Sequence, residues 1–465
     1  MAKVLISFLG TGQHTDDRKY REALYQFDHG DQVATSFVSL AIKQHCTVDK
    51  IFLIGTAHSM WEEVYRAFAT PTTFDSNLHA NLGVAIDDFT AHTPLDALDD
   101  YRDVIESAMG GGSKMVIVKY GLNEEEIAEN ASIILSLEEH LQNGDELIVD
   151  VTHSFRSLPL YILNLLIYLK NVSDKRINIS HIYYGMLDYM RENQGIAPVV
   201  DLIPLLKLND WITAAHNFSK FGNGYKIAEL LRDEGDEVAA TAVKNFSDVK
   251  NLNHLVAMQQ QYNALTRYSK TNENWSVIAN AVVPKVIERF RKKTFVEQEN
   301  NAYSTSDFQF NIAKWHYEHL NFFAAYTNLS EAVVSRCAEF VLSYNGEQNE
   351  LVDDYLFREA VKDYLKEDAC NNEYDILNGW SRLWNDIAPC RNALAHAKRR
   401  AGEAMKAQMM IENFSEFEGR YPMLKQKQGT KICPVAIYNI VMVNYTERVE
   451  KRKKNKKNKK NKNKQ

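Results

Sequence analysis

Residues 147–169, LIVDVTHSFRSLPLYILNLLIYL, decide the fold of this chain. Leu147–Val151 reads as a short buried strand. Thr152–Arg156 reads as a loop crowded with hydroxyl, imidazole and guanidinium groups, and Ser157–Lys170 reads as a helix. Strand, polar loop and helix in direct succession make a βα unit. The same texture continues on both sides. Strand-like runs stand at Val4–Leu9, Ile51–Ile54, Met115–Val118 and Ile179–Tyr184, and a long helix-permissive stretch covers Asn123–Gln142. Buried parallel strands read as continuous apolar runs, so this alternation predicts an α/β, doubly wound parallel sheet over residues 1–205. In such a sheet, ligands sit beyond the carboxyl ends of the strands, where the strand order reverses.

Beyond Pro204 the strand-like runs stop, and residues 206–450 predict an all-α region, with 210–300 a separate helical insertion. Leu329, Val333, Cys337, Phe340 and Tyr344 step at helical spacing and read as core. His316-Tyr317-Glu318-His319 lacks the spacing of a zinc protease helix and reads as helix surface or core. Residues 451–465, KRKKNKKNKKNKNKQ, read as a disordered tail. Removing its ten Lys/Arg from the 54 in the chain leaves 44 bases against 61 acids, a balance of −17. An acidic body holds a polyanion through local basic pockets rather than a global field.

Several function classes are disfavoured. The longest mainly apolar run, Leu158–Leu169, is far short of the roughly 20 residues a bilayer requires. The five cysteines are scattered and contain no Cys-x-x-Cys pair, which argues against a disulfide framework and a zinc knuckle and for a reducing cytoplasm. No metal site is expected. The first strand runs into Phe8-Leu9-Gly10-Thr11-Gly12-Gln13-His14-Thr15, a turn in which backbone N–H groups can approach a phosphate. The second strand ends without the carboxylate that a dinucleotide ribose requires, so a dehydrogenase is disfavoured. Thr152, His153, Ser154 and Arg156 add hydroxyls, an imidazole and a planar fork for phosphate at a helix N-terminus. The plainer alternative is a helix cap and an ion-paired arginine.

The most specific string is Trp384-Asn385-Asp386-Ile387-Ala388-Pro389-Cys390-Arg391-Asn392-Ala393-Leu394-Ala395-His396. Pro389 is expected in the first turn of a helix, with Asp386 or Asn385 as its cap. Asn392 and His396, four apart, share a face. The chemistry this set suits is RNA cleavage without metal: His396 moves a proton, Arg391 stabilises the phosphorane charge and Asn392 orients either one. A single histidine cannot serve both sides of one phosphate at once; a two-fold dimer that brings two copies of the motif together would supply the second.

Phe8–Thr15 together with Asp150–Pro159 resembles the ligand loops of the CRISPR-associated Rossmann fold (CARF), and Arg391–His396 resembles the Arg-x4-His signature of HEPN ribonucleases. That order is similar to the ancillary ribonucleases of type III CRISPR systems. The resemblance implies a cytoplasmic homodimer, able to assemble further, that takes no cofactor. It implies a cyclic oligoadenylate activator, most often the tetra-adenylate, held by Gly10, Thr11, Gly12, Thr152, His153, Ser154 and Arg156. It also implies single-stranded RNA as substrate and Arg391, Asn392 and His396 as catalytic. A second reading is a nucleotide sensor whose helical half only dimerises or binds RNA. A third is cleavage of the cyclic ligand itself.

Overall fold

Lys3-Val4-Leu5-Ile6-Ser7-Phe8-Leu9 forms strand β1, and its alternating side chains show why both faces of the sheet are covered. Leu5 and Leu9 enter one core with Ile51 and Leu53, beneath Val38, Trp61, Leu82 and Ile105 of four helices, α1 (Val38–Cys46), α2 (Trp61–Phe68), α3 (Ser76–Asp87) and α4 (Asp99–Met109). Val4, Ile6 and Phe8 enter the opposite core with Phe52 and Val149, beneath α5 (Glu124–Ser136) and α6 (Leu158–Asn171). Burying such a side chain contributes about 1.5–3 kcal/mol, so a strand apolar on both faces demands helices on both.

The computed structural model describes residues 1–13, 20–153, 157–294, 304–343, 349–366, 375–395, 412–421 and 434–462. The chain divides into two units, Met1–Asp210 and Trp211–Gln465. In the first unit, β1 pairs in parallel with β4 (Lys50–Gly55) on one side and β6 (Glu146–Asp150) on the other. Next to β4 lies β5 (Lys114–Ile117), and next to β6 lies β7 (Asn178–Gly185), both parallel. The chain builds outward from β1 through β4 to β5, then returns to add β6 and β7, so the strand order reverses between β1 and β6.

The α/β doubly wound fold class is present, and the five expected strands all form. Three more extend one edge: β2 (Ala23–Gln26), β3 (Gln32–Thr35) and β8 (Ile196–Asp201). They complete the order β3-β2-β8-β7-β6-β1-β4-β5, with antiparallel pairs at β7–β8 and β2–β3. The sheet is therefore mixed at this edge, where strands are short and half-covered.

The second unit is helical, from the end of α7 (Ile203–Phe221) onward. One core gathers Trp211, Phe218, Phe246, Phe290 and Trp315. It is built on α7, α8 (Tyr225–Asp233), α9 (Glu237–Asn251), α10 (Leu255–Leu265), α11 (Val277–Thr294) and α12 (Thr305–Glu318). A second core forms around α13 (Phe322–Ser343), where Leu329, Val333 and Cys337 are fully buried and Phe340 is partly buried against them. Tyr344, the last residue of that stripe, lies outside the described residues. α14 (Tyr355–Lys366), α15 (Asp375–Ala395) and α16 (residues 412–421) supply Phe357, Trp380, Trp384 and Phe414 to the same core.

The Lys/Asn-rich tail departs from expectation. It is not a disordered extension through residue 462: it continues α17 (Pro434–Lys462). The costly first turns of that helix are already held where Ile437 and Val441 pack into the second core and Arg448 pairs with Asp363. Lysine is a good helix former, and each added residue gains one hydrogen bond once the nucleus exists. Residues 463–465 lie outside the described residues.

Candidate functional sites

Three strand-end loops converge where the strand order reverses. β1 runs into Gly10, Thr11 and Gly12. The Gly10 carbonyl accepts from Met60 N at 3.1 Å, and Ser59 Oγ donates to the Leu9 carbonyl at 2.9 Å, so the loop after β4 is stitched to the end of β1. On the other side, a Cβ placed on Gly10 would stand 3.9 Å from the Cβ of His153, in the loop after β6. Gly12 has φ +70°, and a Cβ there would meet the Tyr20 ring at 2.4 Å and Met60 Sδ at 2.8 Å. Only glycine fits that position without strain.

Beneath these loops the structure places groups that no spacing rule singled out. Asp150, fully buried, accepts from Ser7 Oγ at 2.5 Å and from Thr152 N at 2.9 Å. Burial pushes its carboxyl up to about 6, against the pull of the Ser7 and Thr152 hydrogen bonds. Thr152 Oγ1 accepts from Gly185 N at 2.7 Å and ties β6 to β7. His153 Nε2 stands 2.9 Å from Tyr25 Oη, and burial pulls the ring down to about 4, leaving it neutral. Gly10, Thr11, Gly12, Thr152 and His153 thus share one end of the sheet, with Thr11 and Gly12 exposed. His14, Thr15, Ser154 and Arg156 lie outside the described residues. Tyr25 escaped notice because β2 carries no strong strand signal. A buried acid ending one strand beside a serine on its neighbour was the available clue to Asp150.

The Arg–His string behaves differently from its expected start. Pro389 is not in a first helical turn; it lies inside α15. The missing N–H leaves the Asn385 carbonyl without its helical donor, a loss tolerated because Trp380, Leu383, Trp384 and Ile387 anchor the helix in the second core. Asp386 is no cap either: its carboxylate accepts from Arg420 at 2.7 Å. Arg391 Nη1 donates to Asn392 Oδ1 at 2.9 Å, and neither meets a carboxylate among the described residues. Both line a cavity of about 380 Å3 with Asn385, Pro389 and, from α14, Lys362 and Lys366. Lys362 is held by Glu331 and Glu359 at 3.3 and 3.4 Å. His396 lies outside the described residues.

Comparison with known proteins gives two family matches. Residues 4–188 match the CARF domain of the CRISPR system endoribonuclease Csx1, and residues 207–298 match the second domain of the CRISPR-associated protein MJ1674. The chain is also 30% identical over 413 residues to the CRISPR-associated protein MJ1674 of Methanocaldococcus jannaschii, covering 85% of this chain and 62% of that one. Residues 4–188 are thus a CARF domain of the CRISPR-associated kind, and the chain spans 62% of the length of the curated relative it matches. Among solved structures, Enterococcus italicus Csm6 bound to cyclic hexa-2′-fluoro-hexa-dAMP aligns over 97% of this chain and 100% of that chain, at 13% identity and a TM-score of 0.33.

Within the CARF domain, the converging loops after β1, β4 and β6 occupy the position where open α/β sheets take ligands. No group of three metal-ligating side chains occurs among the described residues, and no described helix is long and apolar enough to cross a membrane.

Proposed function

We propose that this protein is an ancillary endoribonuclease of a type III CRISPR system, switched on when its CARF domain binds a cyclic oligoadenylate. The observation that carries the reading is the joint occurrence of a CARF domain over residues 4–188 and an Arg391–Asn392 pair that lines a lysine-flanked cavity in the helical half. Neutral donors and backbone N–H groups around Gly10–Gly12 and Thr152–His153 suit the phosphates and adenines of the ligand, with Ser154 and Arg156 completing the loop. A homodimer would place two such loops about one cyclic ligand and two Arg391–His396 sets about one RNA strand.

In the cleavage step the 2′-hydroxyl oxygen attacks the adjacent phosphorus as one His396 accepts its proton. The bond to the 5′-oxygen breaks, and a second His396 protonates that oxygen. The products are a 2′,3′-cyclic phosphate and a free 5′-hydroxyl. Arg391, lacking a carboxylate partner among the described residues, is available to the phosphorane charge, and Asn392 holds its guanidinium in place. The test is an RNA cleavage assay with and without cyclic oligoadenylates of different ring size, in chelator. Cleavage independent of every cyclic oligoadenylate, or wholly dependent on added metal, would overturn the reading.

A further inference from the structure

A second cavity, of about 420 Å3, lies in the helical unit between α7, α11 and the end of α12. That volume lies within the range of small-ligand pockets. α7 brings His216 and Lys220 to it, and α11 brings Arg289 and Lys293. Lys293 is neutralised by Glu318 at 2.9 Å. His216, Lys220 and Arg289 are exposed and make no ion pair among the described residues. A body carrying −17 has acids to spare, yet Lys220 and Arg289 stand at the cavity without one, its Glu318 being taken by Lys293.

His319, on the same rim, lies below its ordinary value because of burial first, against the raising effect of its hydrogen bond to the Trp315 carbonyl; Lys293 and Lys220 lower it further, and Glu318 opposes them. Behind the cavity, the buried Lys250 ammonium donates to the Phe221 carbonyl and Asn251, with no carboxylate partner among the described residues. It sits 5.6 Å from the Trp315 ring centroid, and burial pulls it down only to about 8, so it remains charged at neutral pH. Uncompensated cations held together repel one another, and an anion relieves that repulsion.

Two features select the anion. Lys220 from α7 and Arg289 from α11 line the same cavity without a carboxylate partner among the described residues, so two phosphates of one strand can each take one cation. His319, half-buried on the rim, stacks at 4.5 Å with 29° between planes on Trp315, which is itself buried, so the imidazole, backed by the indole, is the ring offered to a base. We infer that this cavity binds the backbone of single-stranded RNA, as a site separate in sequence from both the CARF loops and Arg391. The inference rests on the proposed activity only in naming RNA as the polyanion.

The test is binding of the full chain, without activator, to a mixed-sequence 2′-O-methyl oligonucleotide, which keeps the phosphates but has no hydroxyl for cleavage. Loss of two phosphate contacts from a single strand lowers the slope of log affinity against log salt by about 1.4. The variant Lys220→Ala/Arg289→Ala is expected to show that decrease and at least a tenfold weaker binding at low salt. Lys226→Ala/Arg232→Ala removes the same charge from cations already paired with Glu229 and Glu237, and should leave the slope unchanged. Circular dichroism checks that both variants fold. An unchanged slope in the first variant, an equal loss in the second, or stoichiometric displacement of the oligonucleotide by free AMP would each overturn the assignment. Because no cleavage is read, an inactive enzyme can still pass this test, and an active one can fail it.

Discussion

Ser7 Oγ donates to Asp150 Oδ2 over 2.5 Å, joining the carboxyl ends of β1 and β6 where the strand order reverses. The bond holds the loops after β1 and β6 at one spacing, and it places a buried carboxyl beneath them. Any change in the protonation of Asp150 is therefore felt at the loop that carries Thr152 and His153.

That relationship makes a pH prediction. The folded Asp150 value, raised to about 6, exceeds its unfolded value near 3.9, so the folded state binds the extra proton between these limits. Its stabilising contribution is complete below about pH 4 and is lost as pH rises through about 6. His153, lowered to about 4 from an unfolded value near 6.5, acts oppositely: its contribution is present above about 6.5 and is lost as pH falls toward 4. The two slopes oppose each other in the parent. Asp150→Asn removes one of them, so hydrogen-exchange protection of β1 and β6 peptides should rise more steeply from pH 4 to 6.5 than in the parent. Superimposable pH profiles would show that Asp150 does not titrate in this window.

Gly12 should not tolerate a side chain. Its φ of +70° and the 2.4 Å approach to Tyr20 predict that Gly12→Ala destabilises the first unit by about 1–3 kcal/mol. The activator concentration for half-maximal cleavage should rise while the cleavage products stay the same. Gly111→Ala, with nothing within 4 Å of the added carbon, is the control and should change neither. Parent-like melting and activation in Gly12→Ala would contradict this geometry.

Arg156→Ala should likewise raise the activator requirement without altering the products. A fall in turnover at saturating activator, with apparent affinity unchanged, would move Arg156 from the ligand loop to the coupling between halves. That coupling is typically about 1–3 kcal/mol.

His396→Ala and Arg391→Ala should each lower turnover by about 100-fold or more, the usual contribution of a positioned proton carrier or charge stabiliser. Activator binding, read by calorimetry, should be unaffected. Activity in chelator with 2′,3′-cyclic phosphate ends is the expected product signature. Full activity in His396→Ala would remove the histidine from the mechanism.

Truncation after Glu450 removes the cationic end of α17 but leaves Ile437, Val441 and the Arg448–Asp363 pair. It should preserve activator response and cleavage pattern, and weaken RNA binding only at low ionic strength. A large loss of turnover with RNA well above saturation would make the tail part of the working enzyme.

The sequence by itself determined the class of the first half and the two strings of interest. β1, β4, β5 and β6 are buried on both faces, and a strand covered twice has to be apolar at nearly every position. The loop residues Gly10–Gly12 and Thr152–Arg156 stood out because polar and glycine residues directly followed such strands. Only tertiary structure decided the rest. β2, β3 and β8 lie where the sheet is half-covered, so Gln26, Gln32 and Pro198 broke the signal without breaking the strands. Pro389 read as a helix start because a lone proline usually marks one; packing around Trp380 and Trp384 carries α15 through it. His216, Arg289 and His319 span a hundred residues, and no periodicity links them. Three helices packed on one core bring their charges to one cavity, a proximity set by burial of Phe218, Phe290 and Trp315 rather than by any motif.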